Sequence, residues 1–273
     1  MPSPMSTNEP WDLVAEGYAA EAPLVMAHFS RRAAELLAPA PDARVLDVAA
    51  GPGTLALELA PRVQRVTALD FSERMVSELL RAATLSNLGN LQAVVGDGQA
   101  LPFEDNEFDA GFSLFGLMFF PDRPRGWHEL HRVLKPGAGA VVSSWASFDE
   151  SSLMRAMFGA LAAVDPTFTS PRKEGASLEN PDVLATEMRA AGFERVRVER
   201  VVHSIRPESA EGLWASMARS SAPLVLLRSR IGEAEWLRRE PRVCAFLAEA
   251  LRQEPALSTT ALLAVGYKSL LHD

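Results

Sequence analysis

A short apolar run that ends in a carboxylate and a double-glycine turn, Arg44-Val45-Leu46-Asp47-Val48-Ala49-Ala50-Gly51-Pro52-Gly53, narrows the choice of fold more than any other feature of the chain. Valine and leucine in so short a run suit a strand buried on both faces, the condition of a parallel sheet. The glycines behind it let the backbone turn tightly and come close to a ligand. Thr54 to Leu59 then reads as a helix that Pro61 stops. A helix opening on such a turn offers unpaired N–H groups to an anion. By itself the turn serves equally well as a plain strand–helix connection, so the flanking segments must decide.

The same rhythm recurs. Val63 to Leu69 reads as a strand and Ser72 to Leu85 as a helix that Ser72 can cap. Leu91 to Val95 and Phe108 to Leu114 read as strands, Arg125 to Leu134 as a helix closed by Lys135-Pro136-Gly137, and Ala138 to Ser144 as a fifth strand. Strands alternating with helices across short links predict a doubly wound α/β sheet covered on both faces. Ahead of it, Trp11 to Ala38 reads as one helix. Beyond Trp145 come a helix over Asp149 to Val164, a loop over Asp165 to Ser177 and a helix over Asn180 to Ala191. Arg195 to Val202 alternates charge and valine as an exposed-face strand does. Two or three helices follow over 207–256, and Thr260 to Lys268 is a last strand, so that the two late strands pair as a long-linked hairpin at the sheet edge.

Bulk properties remove several functional classes. The formal net charge is −8 and no basic run appears, the wrong sign for nonspecific nucleic-acid binding or for an anionic membrane surface. Cys244 is the only cysteine, which excludes an intramolecular disulfide and a multi-cysteine metal site, and no other metal constellation is visible. Met1 to Pro10 lacks the basic and apolar segments of a signal peptide, and no apolar run approaches the roughly 20 residues of a membrane span. The expectation is a cytoplasmic enzyme with a small-molecule acceptor and neither nucleic acid nor membrane as partner.

In a doubly wound sheet ligands bind beyond the carboxyl ends of the strands. The second strand ends at Asp70, whose carboxylate is placed to accept both hydroxyls of a ribose, and Phe71 beside it can cover an adenine face. The third ends in Gly96-Asp97-Gly98-Gln99, where Asp97 can receive an adenine amino group. Gly51-Pro52-Gly53-Thr54-Leu55-Ala56 also fits the Gly-x-Gly-x-x-Ala pattern of an NAD(P)-dependent oxidoreductase. Asp47 inside the first strand, the second adenosine-directed carboxylate Asp97 and the long segment before the first strand weigh against that alternative.

Taken in order, these segments resemble the class I S-adenosylmethionine-dependent methyltransferases, in particular the quinone-biosynthesis type and its small-molecule relatives. Val45 to Gly53 resembles their first motif, Val66-Thr67-Ala68-Leu69-Asp70-Phe71-Ser72 the ribose motif and Gly96 to Phe103 the adenine motif. Phe115-Gly116-Leu117-Met118-Phe119-Phe120-Pro121-Asp122 and Glu129 to Gly137 match the later signatures. The resemblance covers residues 44–145. It implies a Rossmann-like, seven-stranded, mostly parallel sheet with an antiparallel last strand, and S-adenosylmethionine as cofactor. It divides a single domain, 1–273, into an N-terminal helical lid (1–40), a cofactor-binding core (41–147), helical cap inserts (148–178 and 207–258) and segments that complete the sheet (179–206 and 259–270). The lid and inserts would form a mobile cap, with Thr167 to Leu178 as its hinge-like loop.

The cofactor residues implied are Tyr18, Asp47, Ala49, Gly51, Gly53, Asp70, Phe71, Met75, Asp97, Gly98, Gln99, Ser113 and Phe115. The methionine carboxylate would meet backbone N–H groups near Gly51 to Thr54 and the ammonium carbonyls near Ala49 and Ser113, with Asp47 organising the loop. Tyr18 and Phe115 would flank the sulfonium. Ala49 stands where many relatives carry a glycine, which is tolerated if the chain is extended there. Trp145 and Phe119 are the candidates for the acceptor pocket, and His28 and His203 for a general base. Ser113-Leu114-Phe115-Gly116 is not the motif of nucleic-acid and protein-glutamine amino methyltransferases. A binding domain of this fold without catalysis is the remaining alternative.

Overall fold

Strand β1 (Arg44–Val48) is buried from Val45 onward, as a strand at the middle of a covered sheet must be. The computed structural model describes residues 4–165 and 177–270. Before β1, the stretch expected to be one helix is two, α1 (Glu9–Glu21) and α2 (Pro23–Leu37). Pro23 has no N–H to continue the ladder, so α1 ends at Ala22 and α2 starts on the proline. Helix α3 (Thr54–Leu59), strand β2 (Arg65–Asp70), helix α4 (Glu73–Leu85) and strands β3 (Leu91–Val95) and β4 (Phe108–Leu114) follow. The Ser72 hydroxyl accepts the Met75 N–H and caps α4.

Helix α5 (Arg123–Val133) ends within one residue of the expected Leu134, but Gly137 is not its stop. Leu134 turns straight into the extended region, and strand β5 runs Leu134–Trp145. Gly137, at φ +81°, instead sits where the β4–β5 register breaks between Phe108 and Ala110. Then come α6 (Ser152–Val164), α7 (Pro181–Ala190), β6 (Phe193–Ile205), α8 (Ala210–Ser220), α9 (Ala222–Ile231), α10 (Glu233–Gln253) and β7 (Leu257–Lys268).

The sheet has seven strands in the order β3-β2-β1-β4-β5-β7-β6, parallel from β3 to β5. Strand β7 is inserted between β5 and β6, antiparallel to both, so the late hairpin supplies an interior strand and an edge strand. One face of the sheet is covered by α2, α3 and α4 through Phe29, Leu55 and Leu79, the other by α5 and α7 through Trp127, Leu130 and Leu184.

Helices α6, α8, α9 and α10 build a separate small core around Trp214 and Trp236, stacked 4.9 Å apart. Helix α1 ties this cap to the sheet. A Cβ on Gly17 would lie 2.2 Å from the Arg219 carbonyl oxygen, so α1 and α8 cross with their backbones in contact. The Glu21 carboxylate accepts from Ser216 Oγ at 2.7 Å and pairs with Arg219, while Ser72 Oγ donates to Asp12 at 2.5 Å. Among the described residues no helix is long and apolar enough to cross a membrane. The expected hinge over Thr167 to Leu178 falls almost wholly outside the described residues.

Candidate functional site

Order reverses between β2-β1 and β4-β5, so the sheet has its switch point between β1 and β4. Asp47 on β1 and Ser113 on β4 lie there, 2% and 1% exposed, and their atoms Asp47 Oδ2 and Ser113 Oγ have no partner. Buried polar atoms are nearly always paired, so an orphan carboxylate oxygen at a switch point marks a place built for a ligand group. The carboxyl of Asp47 also takes a backbone hydrogen bond from Ala56 and thereby fixes the start of α3. Burial, and then the charge of Asp70, push Asp47 up to about 8.

Asp70 lies at the end of β2. Its Oδ2 accepts the Gly51 N–H at 2.8 Å and its Oδ1 the Ser72 N–H at 3.0 Å, each oxygen keeping a further lone pair. The carboxylate therefore staples the glycine turn to the start of α4. Burial raises its pKa against these hydrogen bonds, which lower it. This narrows the expectation for the turn to Thr54, which lines the cavity: the Gly51 N–H is taken by Asp70 and the Gly53 N–H by the Ala50 carbonyl at 3.0 Å. Neither is free for an anion.

Gly53 adopts φ +88°, and a Cβ there would fall 2.6 Å from Cγ of the fully buried Leu79. Gly53→Ala is expected to lower stability by about 2 kcal/mol, from left-handed strain plus displacement of Leu79. A shift of the urea midpoint at unchanged slope would show this.

Ala49 is not extended, as the sequence had suggested. It sits at φ +57°, in the left-handed region, and Phe115 faces it across the switch point at φ +58°. Non-glycine residues pay about 1–2 kcal/mol there and persist only where their surroundings hold them. The methyl of Ala49 is accommodated by Gly116, whose Cβ would lie 2.3 Å from it. The Phe115 N–H donates to Ser143 Oγ at 2.9 Å, which fixes the turn.

These residues line one cavity of about 1220 Å3 at the carboxyl ends of the strands. It brings together every residue expected at the cofactor or acceptor except Gly53 and Ser113, which stand just behind its wall, and the two histidines. Asp97 is exposed at its rim, with Oδ1 accepting from the Gln99 backbone N–H at 2.9 Å and side chain at 3.0 Å. Gly98 is forced by close approach, since a Cβ would lie 2.5 Å from the Phe120 ring. Tyr18 enters from α1, its phenol raised to about 12 by burial and by the Asp70 charge, so it stays a neutral hydroxyl. Trp145 stacks on Phe115 at 4.2 Å, and Phe119 lies on the same wall.

His28 and His203 stack on each other at 4.8 Å, edge-on to Phe29, on the side of the aromatic wall away from the cavity. Sequence reasoning missed Glu21, Met26, Met118 and Leu153, all of which line the cavity. Their signal is tertiary: it depends on where α1, α2 and the cap fold back, which periodicity does not reveal.

A methyltransferase-domain family model matches residues 45–137. The ubiquinone/menaquinone biosynthesis C-methyltransferase UbiE of Geotalea daltonii is 39% identical over 113 residues, 40% of this chain and 48% of that protein. A demethylmenaquinone methyltransferase of Clavibacter sepedonicus is 33% identical over 171 residues, 59% of this chain and 69% of its own length. The chain thus spans less than half of the first relative. Among solved structures, the cyclase SpnF superposes with a TM-score of 0.64 at 20% identity, covering 98% of this chain and 99% of that one, a likeness of fold.

Proposed function

The chain belongs to the class I S-adenosylmethionine-dependent methyltransferases, of quinone-biosynthesis type, and from that premise we propose that it methylates a small, neutral or weakly acidic aromatic or apolar metabolite in the cavity beside Trp145. The observation that carries the reading is the set Asp47, Asp70 and Asp97 at three successive strand ends around one cavity. S-adenosylmethionine, when bound, supplies a methyl group activated by a positively charged sulfur. Asp70 is proposed to hold the ribose hydroxyls and Asp97 the adenine amino group. Asp47, whose Oδ2 has no partner, would take the ammonium. The faces of Tyr18 and Phe115 suit a neighbouring cation. Met75, buried against Val14 and Ala15 of α1, lines the cavity with Phe71.

Among the described lining residues there is no histidine, lysine or cysteine. Glu21 is held below the usual carboxylate range by Arg219 and Ser216, which makes it a weak base. The contribution of the protein is then placement and exclusion of water, and holding two reactants in line accounts for about 7–11 kcal/mol of barrier reduction. Helix α1 and the cap are the elements that would open for exchange. The charge of −8 and the cavity lining support a small molecule over a nucleic acid as acceptor.

Calorimetry with S-adenosylhomocysteine and with NAD separates the readings. Micromolar binding of the first, none of the second, and transfer of labelled methyl to an aromatic acceptor panel are expected. Binding of NAD alone would replace this proposal with the oxidoreductase, and cofactor binding without transfer to any acceptor would favour a noncatalytic role.

A further inference from the structure

Helix α1 is joined to its two neighbours in different ways. Toward the cap, Gly17 lets the α1 and α8 backbones touch, and Glu21 accepts from Ser216 and pairs with Arg219. Toward the sheet, Val14 and Ala15 pack on Met75 of α4, and Trp11 meets the Phe119 ring at 5.3 Å. Ser6 Oγ, just ahead of the helix, donates to the Phe119 carbonyl at 2.9 Å. The polar link from α1 to the start of α4 is Asp12. Its Oδ1 accepts from Ser72 Oγ at 2.5 Å, and its carbonyl accepts from Arg74 at 3.3 Å.

Ser72 is fully buried and its side chain is committed on both sides. The hydroxyl has one proton, which goes to Asp12, and it accepts the Met75 N–H at 3.1 Å. The Ser72 N–H goes to Asp70 Oδ1 at 3.0 Å, while Asp70 Oδ2 holds Gly51. An unbroken chain of hydrogen bonds thus runs from α1 through Ser72 to Asp70 and the glycine turn. Farther along α1, Tyr18 stands over that turn, since a Cβ on Gly51 would lie 4.0 Å from its ring. Lifting α1 away would strip a buried hydroxyl of a charge-assisted bond.

Asp12 also acts on Asp70 through space. Burial above all, and the charge of Asp12 with it, raise the Asp70 carboxyl. Through space Asp12 opposes an ionised Asp70; through Ser72 it holds Asp70 in place. The two effects have opposite signs on ligand affinity and can be separated.

We propose that Asp12 is a positioning residue for the cofactor: through Ser72 it fixes Asp70 toward the ribose, so that the site is complete only while α1 is docked, and release waits on the Asp12–Ser72 bond. This rests on the reading of Asp70 as the ribose-binding carboxylate and adds a residue outside the resemblance of 44–145.

The test follows association and release of S-adenosylhomocysteine by stopped flow. Asp12→Ala should raise the release rate about tenfold and leave association within about twofold. Asp12→Asn keeps an oxygen acceptor without the charge and should stay within about threefold of the native rates. Ser72→Gly removes the hydroxyl but leaves a residue that starts helices well. It should release as fast as Asp12→Ala, which gives a second reading if that variant does not fold, and adding Asp12→Ala to it should change release by less than about twofold. Glu16→Gln, an exposed charge one turn farther along α1, should keep native rates. A lower melting temperature with native rates in Asp12→Ala would leave Asp12 a structural contact and overturn the proposal. Equal losses in the Ala and Asn variants, tighter binding in both, or additive effects with Ser72→Gly would overturn it as well. If S-adenosylhomocysteine binds the native chain and these rates do not move, the relay fails alone. If it does not bind the native chain, the cofactor reading fails and the relay with it.

Discussion

Asp70→Ala should weaken S-adenosylhomocysteine binding by more than about a hundredfold while leaving a folded protein. Hydrogen bonds to a charged group contribute about 1.5–3 kcal/mol each. Loss of two ribose contacts therefore costs at least about 3 kcal/mol, beyond a hundredfold in Kd. The carboxylate also accepts the Gly51 and Ser72 N–H groups, so the same substitution loosens the turn on which the cofactor rests. Folding suffers less. The freed Gly51 amide borders a cavity that water can enter, and although the buried Ser72 amide loses its partner, removing a buried carboxylate also lifts its own desolvation. Asp70→Asn keeps one oxygen acceptor and should fall between, about tenfold weaker. Calorimetry paired with a thermal melt separates binding from folding. Equal affinity of Asp70→Ala and the native chain would place Asp70 outside the site.

How far such a site can be read in a sequence depends on which forces fix each residue. Strands β3 and β4 were legible to the residue: β4 because a strand covered on both faces must be an apolar run, and β3, an edge strand with exposed Gln92 and Val95, because glycine turns bound it sharply on both sides. Asp47, Asp70 and Asp97 were legible as a set, since a polar residue closing such a run is conspicuous. The break at Pro23 was not, because apolar spacing continues across it and the proline sits where a helix can also begin. Gly137 read as a helix stop because a glycine after a basic residue is the usual signal, yet in the fold its positive φ serves a register break. Ala49 shows a subtler limit. The backbone there is left-handed whatever residue occupies it, and the space that admits its methyl comes from Gly116, far along the chain on the other side of the switch point. No local pattern joins those two positions. The histidines misled for a similar reason: His28 and His203 do meet, across α2 and β6, but behind Phe29 and away from the cavity.

Binding of S-adenosylhomocysteine should release a proton between about pH 6 and 8, and its affinity should rise with pH by up to about a hundredfold across that window. Asp47 is pushed up to about 8 by burial and by Asp70. In the free protein it is mostly protonated at neutral pH. A ligand ammonium placed at its orphan oxygen favours the carboxylate and pulls the pKa back down. Each pH unit below 8 then costs the complex up to about tenfold, the work of removing that proton first. The same shift sets the sign for folding. A carboxyl whose pKa is raised in the folded state binds its proton more tightly there than in the unfolded chain, so the stability it contributes is fully present below about pH 4 and is lost as pH climbs through about 8. The ligand-free protein should accordingly lose stability over that range, apart from other titrations, while the complex, with Asp47 already ionised against its partner, should lose much less. Calorimetry at pH 7 in buffers of different ionisation enthalpy reads the released protons directly, and about one per site is expected at the lower end of the window. Asp47→Asn, which cannot titrate, should bind with an affinity nearly flat in pH and release none. An unchanged pH slope in that variant would assign the proton to another group and leave Asp47 as the residue that fixes α3 and nothing more.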